Sequence, residues 1–203
     1  MLTLTRKWNS INTFLLVLVF YSGYGQQDTV DVTNRFSIVG YVSAGGGIYT
    51  SRIITPPESQ ANLSRFSPVT SFRLMWHPDH RLRLGLETGW LHFYSYKFNA
   101  ADGDGGRVSL TGVPLLVVWS MQFWERLNIF FGLGGYYLTS HVYYYGNTKS
   151  SALSLGWSLS GSYVIPVNTR IGLGIEGKWL QCEETSDAVF SLQLQLVYKF
   201  FSW

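Results

Sequence analysis

The sequence predicts an all-β chain, an eight-stranded antiparallel transmembrane β-barrel of up-and-down topology. Three observations carry that expectation. Apolar and polar residues alternate at period two through eight long segments, which gives each strand one apolar and one polar face. The links between segments alternate tight and longer, as they do in barrels with short turns at one end and loops at the other. Charged residues make up 13% of the chain and aromatic residues 17%, whereas a soluble domain is about a quarter charged.

The N-terminus is set apart from the rest. Arg6 and Lys7 precede an apolar run, 14–21 (FLLVLVFY), too short to span a bilayer, and Gly23-Tyr24-Gly25 supplies small residues where a signal peptidase reads. Residues 1–25 are therefore expected to be a cleaved signal peptide, 26–35 a short periplasmic segment, and 36–203 the barrel. Two of the 15 basic residues lie in the signal, so the remainder nearly balances the 12 acidic ones and gives no reason to expect nucleic acid as a partner. Cys182 is the one cysteine, which excludes an internal disulfide, and no cysteine cluster points to a metal. Past residue 25 no apolar run approaches twenty residues, so a membrane crossing must be made by strands.

The expected strands are 36–49, 66–76, 81–98, 108–123, 127–144, 151–165, 170–181 and 188–200. They exceed the common globular length of about 5–6 residues and suit a tilted crossing of about 9–11. Tight links follow the second, fourth and sixth: His77-Pro78-Asp79-His80, Trp124-Glu125-Arg126 and Pro166-Val167-Asn168-Thr169. The links 50–65 and 99–107 are long and polar, and 145–150 and 182–187 are of middling length. Both termini then fall on the short-turn, periplasmic side.

The faces divide as follows. The third strand sets Leu82, Leu84, Leu86, Trp90, Tyr94, Tyr96 and Phe98 opposite Arg83, Glu87 and Lys97. The sixth sets Leu153, Leu155, Trp157 and Leu159 opposite Ser154, Ser158, Ser160 and Ser162. The seventh sets Leu173, Ile175 and Trp179 opposite Glu176 and Lys178, and the eighth sets Leu192, Leu194 and Leu196 opposite Gln193 and Gln195. The fourth strand (VPLLVVWSM) is apolar on both sides and its faces stay open. The fifth is regular to Leu133, and Gly134-Gly135 suggests a bulge. A soluble cup would turn its polar face to water and fill it with Lys and Glu. Here that face is mostly Gly and Ser with a few opposed charges, which suits a narrow interior. Aromatic residues gather toward strand ends, among them Trp76, Trp119, Phe123, Trp124, Tyr143, Tyr144 and Phe200, as interfacial girdles do. The expectation is outer-membrane lipid outside and polar filling inside.

The polar set expected to line the interior is Arg73, Arg83, Glu87, Glu176, Lys178, Gln193, Gln195 and Lys199. An unpaired charge in such a place is expensive, so carboxylates and cations should pair across strands and plug the barrel. Eight strands leave room only for side chains, which counts against a pore. No catalytic residue, metal site or cofactor is assigned. His77 and His80 share a turn, Ser140 and His141 are adjacent and so face opposite sides of a strand, and Asp102-Gly103-Asp104-Gly105-Gly106 lacks the later glutamate of a calcium loop.

The signal ending before Gln26-Gln27, the Gly-rich first strand (SAGGGIY), GVPLLV at 112–117 and the closing LQLQLVYKF resemble the small outer-membrane β-barrels of Bacteroidetes, PorT-like and with eight-stranded OmpA/OmpX-like architecture. The resemblance spans the mature chain. It implies insertion by the barrel-assembly machinery, which reads a C-terminal strand ending in an aromatic residue. Leu194, Leu196, Tyr198 and Phe200 match that signal, while the overhang Phe201-Ser202-Trp203 leaves Phe200 and Trp203 as competing terminal aromatics. The expected function is non-enzymatic: a structural or accessory subunit of an envelope complex, meeting other envelope proteins through its extracellular loops. The alternatives are a lipid-modifying barrel enzyme and a soluble lipocalin-like binding barrel.

Overall fold

The computed structural model describes residues 36–50, 62–78, 82–99, 105–143, 146–183 and 187–202. The expected signal peptide, the 26–35 segment, His80, the loop residues Asp102-Gly103-Asp104 and Trp203 lie outside them. Eight strands form the wall: β1 (Ser37–Tyr49), β2 (Phe66–His77), β3 (Leu82–Asn99), β4 (Gly105–Gln122), β5 (Leu127–Tyr143), β6 (Asn147–Pro166), β7 (Ile171–Cys182) and β8 (Asp187–Ser202). A three-residue strand, Asn62–Ser64, pairs with Ser95, Tyr96 and Lys97 of β3. Each wall strand pairs antiparallel with its sequence neighbours, and β8 returns to β1 along the whole of Ser37–Tyr49. Closure leaves no unpaired edge at membrane depth.

Two short turns are tied by their own backbones. Phe123 and Trp124 donate to the Leu127 carbonyl at 2.9 and 3.3 Å. Between β6 and β7, Asn168 Oδ1 accepts from the amides of Arg170 and Ile171 at 2.8 and 2.7 Å, the local capping for which asparagine is suited. At the other end β6 starts at Asn147, earlier than the expected 151, and pairs with β5 throughout. Its pairing with β7 begins only at Gly156, so its first turns stand beyond the β6–β7 seam.

Period two fixes the faces. Leu86, Leu115 and Leu194 are 57–72% exposed on the outer surface, while Glu87, Ser162, Gln193 and Glu176 are buried inside. An apolar belt of this extent belongs against lipid, and the chain crosses a membrane with its strands. Trp76, Phe123, Trp124, Tyr163, Tyr198, Phe200 and Phe201 are exposed toward the short-turn end, where an interfacial girdle sits.

Three sequence expectations are corrected. The first is the composition of the interior, which is only partly polar. In β4, Leu110, Leu116 and Val118 point in, and Val113, Leu115 and Val117 point out. The inner residues join Leu91, Phe93, Phe130, Tyr136, Leu138, Leu180 and Val189 in an apolar core. The second is the bulge at Gly134-Gly135: β5 pairs through both glycines with β4 and β6 without a shift. Glycine blurs the alternation because it has no side chain to declare a face. The bulges fall elsewhere, at Phe93 in β3 and at Phe200 in β8.

The third concerns two tyrosines. The extra residue at Phe93 shifts the register, so Tyr94 stands opposite buried Leu110 and packs inward on Tyr49 with ring centroids 5.2 Å apart. Tyr96 stacks on Tyr94 and follows it off the predicted lipid face. A bulge inverts every later residue relative to strict alternation, and nothing in the residue types announces it.

Glycine has a specific use in β1. A Cβ at Gly45 would come 2.0 Å from the Leu192 carbonyl oxygen, so only glycine allows β1 and β8 to meet at this spacing. The SAGGGIY segment is thus the seam that closes the barrel.

Candidate functional site

The interior charges meet in one buried quartet. Arg73 (β2) and Glu87 (β3) are register partners, and Glu176 and Lys178 share the inner face of β7 across the lumen. Arg73 Nε and Nη2 lie 2.7 Å from Glu87 Oε2, and Nη2 lies 2.7 Å from Glu176 Oε1. Lys178 Nζ lies 2.7 Å from Glu87 Oε1 and 3.4 Å from Glu176 Oε1. Two cations thus balance two carboxylates, and each of the four side chains is at most 2% exposed. Charges withdrawn from water hold only when geometry and further hydrogen bonds compensate their lost hydration.

The surrounding strands supply those bonds. Glu176 Oε2 accepts from Ser43 Oγ at 3.1 Å and from Gln195 Nε2 at 2.9 Å. Lys178 Nζ donates to Ser71 Oγ at 3.1 Å, Ser71 donates to Gln193 Oε1 at 3.2 Å, and Gln193 Nε2 donates to Ser191 Oγ at 2.9 Å. Ser162 donates to Gln195 Oε1. The third face of Arg73 meets an aromatic ring: Phe130 of β5 lies 4.0 Å from the guanidinium carbon. A desolvated cation over a ring is attracted by its quadrupole.

Two of the expected interior residues are not in this cluster. Arg83 and Lys199 face inward at the short-turn mouth, on the far side of Tyr41, where they line a cavity of about 410 Å³. Arg83 donates to Asn128 Oδ1 and Gln122 Oε1. Sequence reading missed Phe130, Tyr41 and the serines 43, 71 and 191. Ser71 and Ser191 share strand faces with Arg73 and Gln193, which was the available signal; Phe130 gave none, because an aromatic residue opposite Leu127, Ile129, Phe131 and Leu133 does not announce a cation beside it.

The remaining candidate chemistry is scattered. His77 Nε2 lies 3.4 Å from the Tyr41 hydroxyl, and His92 stacks on Trp90. No hydrogen bond among the described residues joins Ser140, His141 and Glu183, and Glu183 accepts from Trp157 Nε1 at 2.7 Å. Among the described residues no three of His, Cys, Asp or Glu converge as metal ligands. Leu194, Leu196, Tyr198 and Phe200 lie on the outer face, and Phe201 joins them because the bulge at Phe200 turns it outward opposite Ile38.

No protein-family model and no curated protein matches the chain by sequence. Among solved structures it is similar to Ail, the attachment invasion locus protein of Yersinia pestis, in complex with the heparin analogue sucrose octasulfate: 8% identity, TM-score 0.49, covering 82% of this chain and 99% of that one. It is also similar to the outer membrane protein OprG of Pseudomonas aeruginosa (10%, 0.46, 83% and 96%) and to Neisserial surface protein A (13%, 0.41, 81% and 97%). These likenesses concern architecture alone. The closed antiparallel sheet, its apolar exterior and its side-chain-filled lumen make this chain an eight-stranded transmembrane β-barrel of the outer-membrane type.

Proposed function

We propose that the chain is a non-enzymatic, non-conducting outer-membrane barrel acting as a structural or accessory subunit of an envelope complex. The observation that carries this reading is the filled lumen. The quartet and its serine and glutamine shell lie across the barrel, and apolar side chains fill the space toward the loop end. With the interior spent on packing, the surfaces left for function are the ends, chiefly the loop end where β6 rises beyond the seam. Both termini lie on the periplasmic side, the barrel is of the Bacteroidetes PorT-like kind, and the barrel-assembly machinery inserts it by reading β8. The outward Leu194, Leu196, Tyr198 and Phe200 support the last point.

Cross-linking in intact cells, followed by purification in mild detergent, should recover the barrel with a stoichiometric envelope protein, while lipid A mass spectra stay the same with and without the barrel. A lipid A species that disappears with the barrel would replace this reading with the lipid-modifying enzyme. High-yield recovery in the soluble periplasm would replace it with the soluble binding barrel.

A further inference from the structure

The cavity at the short-turn mouth differs from the quartet in one respect: its charges are not balanced. Its volume, about 410 Å³, falls within the range of about 300–1,000 Å³ common for small-molecule sites. Arg83 from β3, Lys199 from β8 and Arg170 from the turn before β7 line it. Glu125, between β4 and β5, is the one carboxylate in the described wall. Three cations against one anion leave an excess of two positive charges.

Arg83 is positioned without being neutralised. Its Nη1 donates to Asn128 Oδ1 at 3.1 Å and its Nη2 to Gln122 Oε1 at 2.5 Å, both uncharged amides. Gln122 is braced in turn, donating from Nε2 to the Glu125 carbonyl at 3.1 Å. Among the described residues every ion pair belongs to the quartet, so Arg83, Lys199 and Arg170 have no carboxylate partner there. The quartet lends the cavity no negative charge, being balanced itself and separated from it by Tyr41, whose ring packs edge-on against Phe130 at 5.6 Å. A half-buried guanidinium held by neutral acceptors keeps its cost of desolvation, and a bound anion relieves it.

We propose that this mouth cavity binds a phosphoryl group, held by Arg83 and Lys199 with Arg170 at the rim. The charge excess matches a doubly charged phosphate better than a singly charged carboxylate. A guanidinium fork beside an ammonium is the donor pair that phosphate oxygens take. The phosphate comes either from a soluble molecule or from a lipid headgroup.

The test uses the full mature barrel in dodecyl maltoside, a detergent without phosphate, at low salt. One arm titrates inorganic phosphate by calorimetry; the other adds phosphatidic acid, a phosphomonoester lipid, to the micelles and follows its phosphorus resonance. Saturable binding is expected in at least one arm, at least tenfold weaker in Arg83→Gln and in Lys199→Gln. It should be unchanged in Arg126→Gln, a neighbouring cation outside the cavity wall, and tighter in Glu125→Gln. Binding to phosphate alone supports a soluble ligand, and binding to the lipid alone supports a headgroup. No saturation in either arm, or wild-type binding by both lining variants, overturns the proposal. Heat-modifiable migration on a detergent gel reports folding of each variant. Should Arg83→Gln not fold, Lys199→Gln decides alone, since its ammonium enters no ion pair with the described residues.

Discussion

Arg73 touches both carboxylates of the quartet and the ring of Phe130, so it ties four strands of the wall together: β2, β3, β7 and β5. Removing one carboxylate leaves a buried cation under-compensated, and the expected cost is about 3–5 kcal/mol for Glu87→Ala or Glu176→Ala. The measurement is the temperature at which the folded, fast-migrating band is lost on a detergent gel; unchanged midpoints for both variants would place these groups in water. Arg83→Ala should destabilise much less, because Arg83 lies at the mouth with amide partners and outside the quartet. Phe130→Leu keeps most of the apolar volume and loses the ring over Arg73. A loss of about 2 kcal/mol is expected for a desolvated cation–π contact, read from the same gel.

Strands β6 and β8 together show how exposure and depth differ. Leu194 and Leu153 are 72% and 70% exposed, yet Leu194 lies mid-strand in the belt while Leu153 lies in the part of β6 that β7 does not reach. Leu194→Arg should cost about 2–4 kcal/mol, the penalty near the bilayer midplane, and Leu153→Arg about 0–1 kcal/mol, that near an interface. The folded fraction recovered in outer membranes distinguishes them, and equal tolerance would mean the belt does not face lipid. The end of β8 has its own test. Phe200 lies over Gly40, where a Cβ would come 2.6 Å from its ring, and Phe201 and Ser202 pair with Ile38 and Ser37. Phe200→Ala should therefore lower assembly more than deletion of 201–203, which removes two terminal register pairs and leaves the rest of the β1–β8 seam intact; the reverse order would make the overhang the recognised end.

For the barrel as a whole, the filled lumen predicts an electrical property. Reconstituted in a planar bilayer, the wild-type barrel should show no steady conductance steps, because a charge-balanced cluster and an apolar core occupy the space that eight strands enclose. Sustained openings would show that the interior packing yields to water and would remove the basis for reading the ends as the functional surfaces.

The sequence by itself determined the strand number, their order, and which face of β6, β7 and β8 turns inward, because period two is written directly in residue types such as LSLGWSLSG and LQLQL. It also named the four members of the quartet as inward-facing. Only the tertiary structure decided that Arg73 and Glu87 meet Glu176 and Lys178 while Arg83 and Lys199 stay apart at the mouth. Alternation fixes the side of the wall but not the height along it; height follows from the register of every pair around the closed ring. The same cause explains the misplaced Tyr94 and Tyr96 and the outward Phe201. One extra residue in a strand reverses the faces beyond it, and its position is set by how neighbouring strands fit together.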